Sequence, residues 1–241
     1  MQTRGEELSQ AGQPPQHLHR KVTSFRSRRS TLTDAQQRTW ARRWPDLGTD
    51  TATDPVDTLS WFHRSAPVVL EIGCGTGTST AEMAILEPDV DVVAVEVYRR
   101  GLAQLLGAID REGITNIRLV RGDGVDVLEH GFGTESLVGV RVFFPDPWPK
   151  SRHHKRRFVQ PATVALIADR LVGGGVLHVA TDHQEYAEQI AEVGDGEARL
   201  KRVDPGASLP ISVRRPVTKY ESKARRAGNA VTELLWEKGA E

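Results

Sequence analysis

Apolar residues are spaced differently on the two sides of Pro67. Beyond it, short continuous apolar runs alternate with segments of helical period, the pattern of buried parallel strands joined by helices. The strand runs are Val68-Val-Leu-Glu-Ile72, Val92-Val-Ala-Val95, Ile117-Arg-Leu-Val120, Val140-Arg-Val-Phe-Phe144 and Val176-Leu-His-Val-Ala180. Between them the spacing predicts helices over Thr78–Leu86, Tyr98–Arg111, Val125–His130, Phe158–Leu171 and His183–Val193. Ala198–Val203 and Val231–Trp236 are two further strand candidates. The expected architecture is therefore α/β: a doubly wound, mostly parallel, seven-stranded sheet with helices on both faces.

The region before Pro67 carries no such alternation. Thr33-Asp-Ala-Gln-Gln-Arg-Thr-Trp-Ala-Arg-Arg-Trp44 predicts a helix over 33–44, with Thr33 and Gln36 as a capping box and Pro45 as its limit. Residues 46–66 read as a polar connection. Residues 1–30 are rich in Gln, Ser, Arg and Pro and poor in large apolar residues, which predicts a basic arm disordered when free. The remainder, 31–241, is expected to form one domain with its core over about 67–237.

Composition narrows the class. Hydrophobic content of 38% and charged content of 27% suit a water-soluble globular chain. There is no apolar run of the ~20 residues a membrane helix needs and no apolar leader near Met1, and Cys74 is the single cysteine. Together these predict a cytoplasmic protein without disulfides or membrane attachment. Net charge is zero, yet the signs are segregated. Residues 20–43, 150–157 and 214–226 hold 19 of the 32 cations and 2 of the 32 anions. That clustering favours a face that binds a polyanion.

The candidate chemistry lies at the strand ends. Glu71-Ile-Gly-Cys-Gly-Thr-Gly77 stands at a strand-to-helix junction, where Gly73, Gly75 and Gly77 allow close approach of a ligand to backbone. Position 78 is Thr where the dinucleotide fingerprint wants a glycine, which disfavours a pyrophosphate. Glu96, placed to accept ribose hydroxyls, ends the second strand; Asp123, within reach of an adenine amino group, ends the third; Asp146 ends the fourth. A ribose, an adenine and a cation would satisfy these acids, and S-adenosylmethionine carries all three. Cys74 reads as filler in the turn rather than as a nucleophile. After the fourth strand, Pro145-Asp-Pro-Trp-Pro149 leads into Lys150-Ser-Arg-His-His-Lys-Arg-Arg157, five cations in eight positions. His153 and His154 are adjacent, an awkward spacing for one metal, so no metal site is predicted. Trp148 reads equally as packing under the turn or as a base platform.

The run from Val68 to Val203 resembles the Rossmann-like methyltransferases. Pro-Asp-Pro-Trp-Pro-Lys-x-Arg-His-x-Lys-Arg-Arg157 is similar to the bacterial tRNA (guanine-N7-)-methyltransferase family. Ser24-Phe-Arg-x-Arg-Arg29, Ala180-Thr-Asp182 with Tyr186, and Arg215-Pro-Val-Thr-Lys-Tyr-Glu221 resemble that family's amino-terminal arm, post-strand loop and carboxy-terminal signature. The likeness covers residues 20–237, with Ser151 and Tyr220 as small departures. It implies methyl transfer from S-adenosylmethionine to N7 of a tRNA guanine, position 46 of the variable loop, with Asp146 as the active-site residue. It further implies Glu71, Gly73, Gly75, Gly77, Glu96, Asp123 and Asp146 as the cofactor site. Lys150, Asp182, Thr218, Lys219, Tyr220 and Glu221 would hold the target nucleotide, and Asp182 and Glu221 are candidates for reading the guanine N1–H and N2–H₂ edge. Arg152, His153, His154, Lys155, Arg156 and Arg157 would contact RNA. For Asp182 the residues alone equally suit a helix cap. The expected partner is tRNA, with no obligate protein partner and a monomeric or homodimeric state. An exocyclic-amine RNA or DNA methyltransferase and a silent RNA-binding module are the rival readings.

Overall fold

A computed structural model describes residues 31–50, 53–216, 221 and 230–240. The expectation for residues 1–30 lies outside them. The elements run α1 (Asp34–Leu47), β1 (Gly48–Thr49), α2 (Thr58–Phe62), β2 (Val68–Ile72), α3 (Thr78–Leu86), β3 (Asp91–Val95), α4 (Arg99–Glu112), β4 (Ile117–Val120), α5 (Gly124–Asp126), β5 (Leu137–Phe143), α6 (Pro161–Arg170), β6 (Leu171–Thr181), α7 (Gln184–Asp195), β7 (Leu200–Arg202) and β8 (Thr232–Lys238). They form one eight-stranded sheet in the order β1-β4-β3-β2-β5-β6-β8-β7. β8 is antiparallel to both β6 and β7, and the other pairings are parallel. The chain reverses direction across the sheet between β2 and β5, the switch point where α/β sheets bind ligands.

Alternation along the strands builds two cores. Leu70, Ile72, Val93 and Val95 pack with α6 and α7 on one face. Val92 and Ala94 pack with α4 and α1 on the other. Each Val, Leu or Ile side chain fully buried there contributes ~1.5–3 kcal/mol. In α4, Leu102, Leu105, Leu106 and Ile109 follow helical spacing and are all fully buried. Gly113, in left-handed backbone (φ 66), ends that helix.

Three expectations need correction. Pro45 does not stop α1, which runs to Leu47 behind the Thr33–Gln36 capping box. Proline in the last turn costs only the bond to the residue-41 carbonyl, and the buried Trp44 and Leu47 hold the turn down. The sheet has an eighth strand, because Gly48 and Thr49 pair with Leu119 and Val120. Two residues are too short to leave a sequence pattern. The Val125–His130 helix is split into α5 and a π-helical turn over Val127–Gly131.

Candidate active site

A cavity of about 710 Å³ opens at the carboxyl ends of β2 to β5. Its first wall is the turn between β2 and α3. Gly73, Gly75 and Gly77 all have positive φ (75, 57 and 71°). The Gly73 and Cys74 amides donate to the Val95 carbonyl at 2.9 and 3.1 Å, which pins the turn across the end of β3. A Cβ added at Gly73, which lines the cavity, would meet nothing within 4 Å, so the turn leaves ligand space. From behind, α4 presses on it: a Cβ at Gly101 would fall 2.1 Å from the Gly75 carbonyl oxygen.

Glu96 joins this turn to β3. Its carboxylate accepts from the amides of Gly75 (3.0 Å), Val97 (2.7 Å) and Tyr98 (3.0 Å). Burial pushes its pKa up, the three amides oppose this, and the nearby charge of Asp146 adds to the rise. A carboxylate has about four acceptor positions, so Glu96 keeps capacity toward the cavity. Asp123 also lines the cavity while one of its oxygens caps α5 through the Val125 amide (2.8 Å). Its other oxygen is free of that duty.

Glu71 departs from the cofactor role. It is buried beneath the turn, outside the cavity lining, and accepts from the Thr80 hydroxyl at 2.8 Å. Burial raises its carboxyl above the ordinary range, with the Arg141 charge opposing. Its work is to fix α3 behind the glycines. Cys74, whose thiol burial and two neighbouring carboxylates push well up, is held as a thiol and not as a nucleophile.

The facing wall is the turn from Phe144 to Trp148. Both end residues sit in left-handed backbone, at φ 52 and 44°, where large side chains are rarely found. Between them the exposed Asp146 lines the cavity with Glu96, and two carboxylates on one cavity suit a cation between them. Trp148 also lines the cavity, with the Arg156 guanidinium 5.1 Å over its ring and His153 edge-on at 5.8 Å.

The cationic run folds as a 3₁₀ helix over Ser151–Arg156, entered from Lys150. Lys150, Arg152 and Lys155 are exposed, and Lys155 and Arg156 reach the cavity wall. Arg157 breaks the expected series. Its side chain is 1% exposed; it donates to the Pro147 carbonyl (2.8 Å) and Gln189 (2.5 Å), meets His154 (3.0 Å) and Glu185 (3.3 Å), and lies 4.8 Å over the Tyr186 ring. It is a brace between the turn and α7, and it borders the cavity with little of its side chain exposed. His154 belongs to the same brace. The buried Tyr186 hydroxyl, its pKa pushed up to about 12 by burial, accepts from the Val159 amide.

Lys150, Asp182 and Glu221 lie outside the lining of the cavity. Asp182 does not cap α7; the His183 ring does so, accepting from the Tyr186 amide. Glu221 departs most from its expected role as a base reader. It is fully buried and paired with Arg215 at 2.6 Å. Thr218, Lys219 and Tyr220 lie outside the described residues. The sequence pattern passed over Tyr98, an exposed aromatic at the cavity wall two residues after Glu96, and Arg215. An aromatic residue two positions after a ligand acid was a usable signal for Tyr98; Arg215 opened the Arg215–Glu221 run, but nothing in that run gave it a role of its own.

No helix of the described residues is long and apolar enough to cross a membrane. Among solved structures the fold is similar to that of the aminoglycoside resistance methyltransferase NpmB1, with a TM-score of 0.51 and 18% identity over 79% of this chain and 94% of that one. Residues 65–234 match the family model described as "Putative methyltransferase". The tRNA (guanine-N(7)-)-methyltransferase of Mycobacterium avium (strain 104) is 64% identical over 95% of this chain and 92% of its own length. That of Mycolicibacterium gilvum (strain PYR-GCK) is 68% identical over 92% and 88%, and that of Mycobacterium leprae (strain Br4923) 60% identical over 91% and 98%. With identity this high along nine-tenths of its length, the chain belongs to the tRNA (guanine-N(7)-)-methyltransferase family.

Proposed function

We propose that this chain methylates N7 of a guanine in tRNA with S-adenosylmethionine as methyl donor, acting in the cytoplasm as one methyltransferase domain without an obligate protein partner. The observation that carries the reading is the meeting, on one cavity, of Gly73 and Glu96 with Asp146, Trp148 and the cations Lys155 and Arg156, while Gly75 and Gly77 shape the turn from outside the lining. One wall suits a nucleoside bearing a positive charge. The other suits a base delivered on a phosphate backbone.

The residues fit the donor. Glu96 keeps about one acceptor position for a ribose hydroxyl, the unused Asp123 oxygen suits an adenine amino group, and Gly73 leaves room for the chain of the ligand. Asp146 supplies negative charge where a sulfonium would lie. When bound, the donor supplies an electrophilic methyl group. Guanine N7 is a ring lone pair and carries no proton, so the site requires no general base. The protein's task is to align N7 with the methyl group at about 3–3.5 Å. Lys155, exposed at the cavity wall, and the exposed Arg152 on the same 3₁₀ helix are placed to hold phosphates while that alignment is made. The family resemblance assigns the target to position 46 of the variable loop.

The deciding experiment incubates unmodified tRNA with methyl-labelled S-adenosylmethionine, digests the RNA and identifies the labelled nucleoside. 7-Methylguanosine is expected. N6-methyladenosine, or no labelled product, would sink the reading.

A further inference from the structure

Behind the Asp146 turn lies a buried charged cluster that the methyl-transfer chemistry does not use. The Arg215 side chain is 1% exposed and is gripped from two sides, by the Glu221 carboxylate (1% exposed) at 2.6 Å and by Glu233 at 2.9 Å. It also donates to the Pro216 carbonyl at 3.3 Å. Glu233 is in turn shared with His178 on β6, 3.1 Å away, and His178 meets the Phe143 ring edge-on at 4.9 Å. The guanidinium of Arg215 lies 5.6 Å over the Phe143 ring and 5.0 Å over the Phe144 ring. Both phenylalanines line the cavity, and Phe144 opens the turn that presents Asp146, in left-handed backbone.

Burying a guanidinium is costly unless it is paired and hydrogen-bonded, and this one is paired twice. Its flat face is set against the two rings at the end of β5. Strained backbone of the kind at Phe144 persists only where its surroundings over-determine it. We infer that Arg215 is a positioning residue for the transfer reaction: fixed by Glu221 and Glu233, it holds the Phe143–Phe144 wall so that Asp146 meets its partner in register. Glu221 then acts through Arg215 as its counter-anion and not by reading the guanine edge.

The inference rests on the proposed guanine-N7 reaction, and the test separates the two. Turnover and tRNA affinity are measured for wild type, Arg215→Met, Glu221→Gln and the double variant. Each is assayed on tRNA carrying guanosine and on tRNA carrying inosine at the target, which lacks the N2 amino group but keeps N7. A wall displaced by ~1 Å costs about a hundredfold in rate, so kcat falls by that order in Arg215→Met while tRNA affinity, set by exposed cations, stays within about threefold. Glu221→Gln loses the same factor on guanosine and inosine substrates, and the double variant is little worse than the poorer single. A loss in Glu221→Gln that shrinks on inosine would make Glu221 a base reader and overturn the inference, as would multiplicative losses in the double variant. If Arg215→Met does not fold, the inosine comparison on Glu221→Gln decides alone. Failure of wild type to form 7-methylguanosine would instead strike the underlying reaction.

Discussion

The two walls of the cavity are built by opposite means. On the side of the glycine turn, proposed to hold the cofactor, the shape is made by backbone: three positive-φ glycines, two amides on one carbonyl and three amides on one carboxylate. On the side of the Phe144–Trp148 turn, proposed to face RNA, it is made by side chains of one charge type put to different uses. Arg156 lies over Trp148, Arg157 braces α7 from within, and Arg152 and Lys155 face outward. Adjacent arginines thus do unrelated work. Backbone shape is written locally in glycines and acids, whereas the fate of a cation depends on which element happens to pack beside it.

The sharpest way to break this contrast is at Asp146. Asp146→Ala is expected to lower kcat by about a thousandfold, the order for losing one preorganised electrostatic contact, with tRNA affinity little changed. Loss of tRNA binding alone would place Asp146 on the RNA side. The next largest effect is on stability. Arg157→Ala removes a buried, multiply bonded cation and should cost about 2 kcal/mol or more in urea unfolding. If its stability were intact and its tRNA affinity reduced, Arg157 would rejoin the RNA-binding series. Arg152→Ala should do the reverse: unfolding within about 0.5 kcal/mol of wild type, weaker tRNA binding, and a log–log salt slope shallower by about one. The smallest effect concerns His178, whose pKa burial holds low, with Glu233 opposing and Arg141 and Arg215 reinforcing. The unfolded chain therefore binds this proton more readily than the folded one. Its contribution to stability is full above about pH 6.5, the ordinary histidine value, and is lost as pH falls below it. Melting curves at pH 7.5 and 5.5 for wild type and His178→Gln would show it as a smaller acid-induced drop in the variant.

The same contrast explains what could be read from the chain. α3 spans Thr78–Leu86 as expected, because the glycine turn and a helical apolar period bound it on both sides. The parallel strands β2 to β4 were legible as continuous apolar runs. Other elements needed partners to exist. β6 begins at Leu171 and carries Gly173-Gly-Gly175 inside a strand, because Leu171 pairs with Leu137 on β5 before a register shift. In the sequence those glycines fall between the expected helix over Phe158–Leu171 and the expected strand from Val176. That Glu96, Asp123 and Asp146 share one cavity could be read from their places at strand ends. The burial of Arg157 and of Glu221 was not, since it depends on Gln189 and Tyr186 on α7 and on Arg215, residues 6 to 32 positions away.

The left-handed conformations of Phe144 and Trp148 set the goals of fitness and durability against each other. Each costs the folded state ~1–3 kcal/mol, and asparagine or glycine would relax the backbone at either position. A library of variants sorted only for heat resistance should therefore enrich replacements at 144 and 148, and the same variants should drop out when survivors are sorted for methylation. These two positions mark where an engineer seeking a tougher catalyst should leave the chain alone.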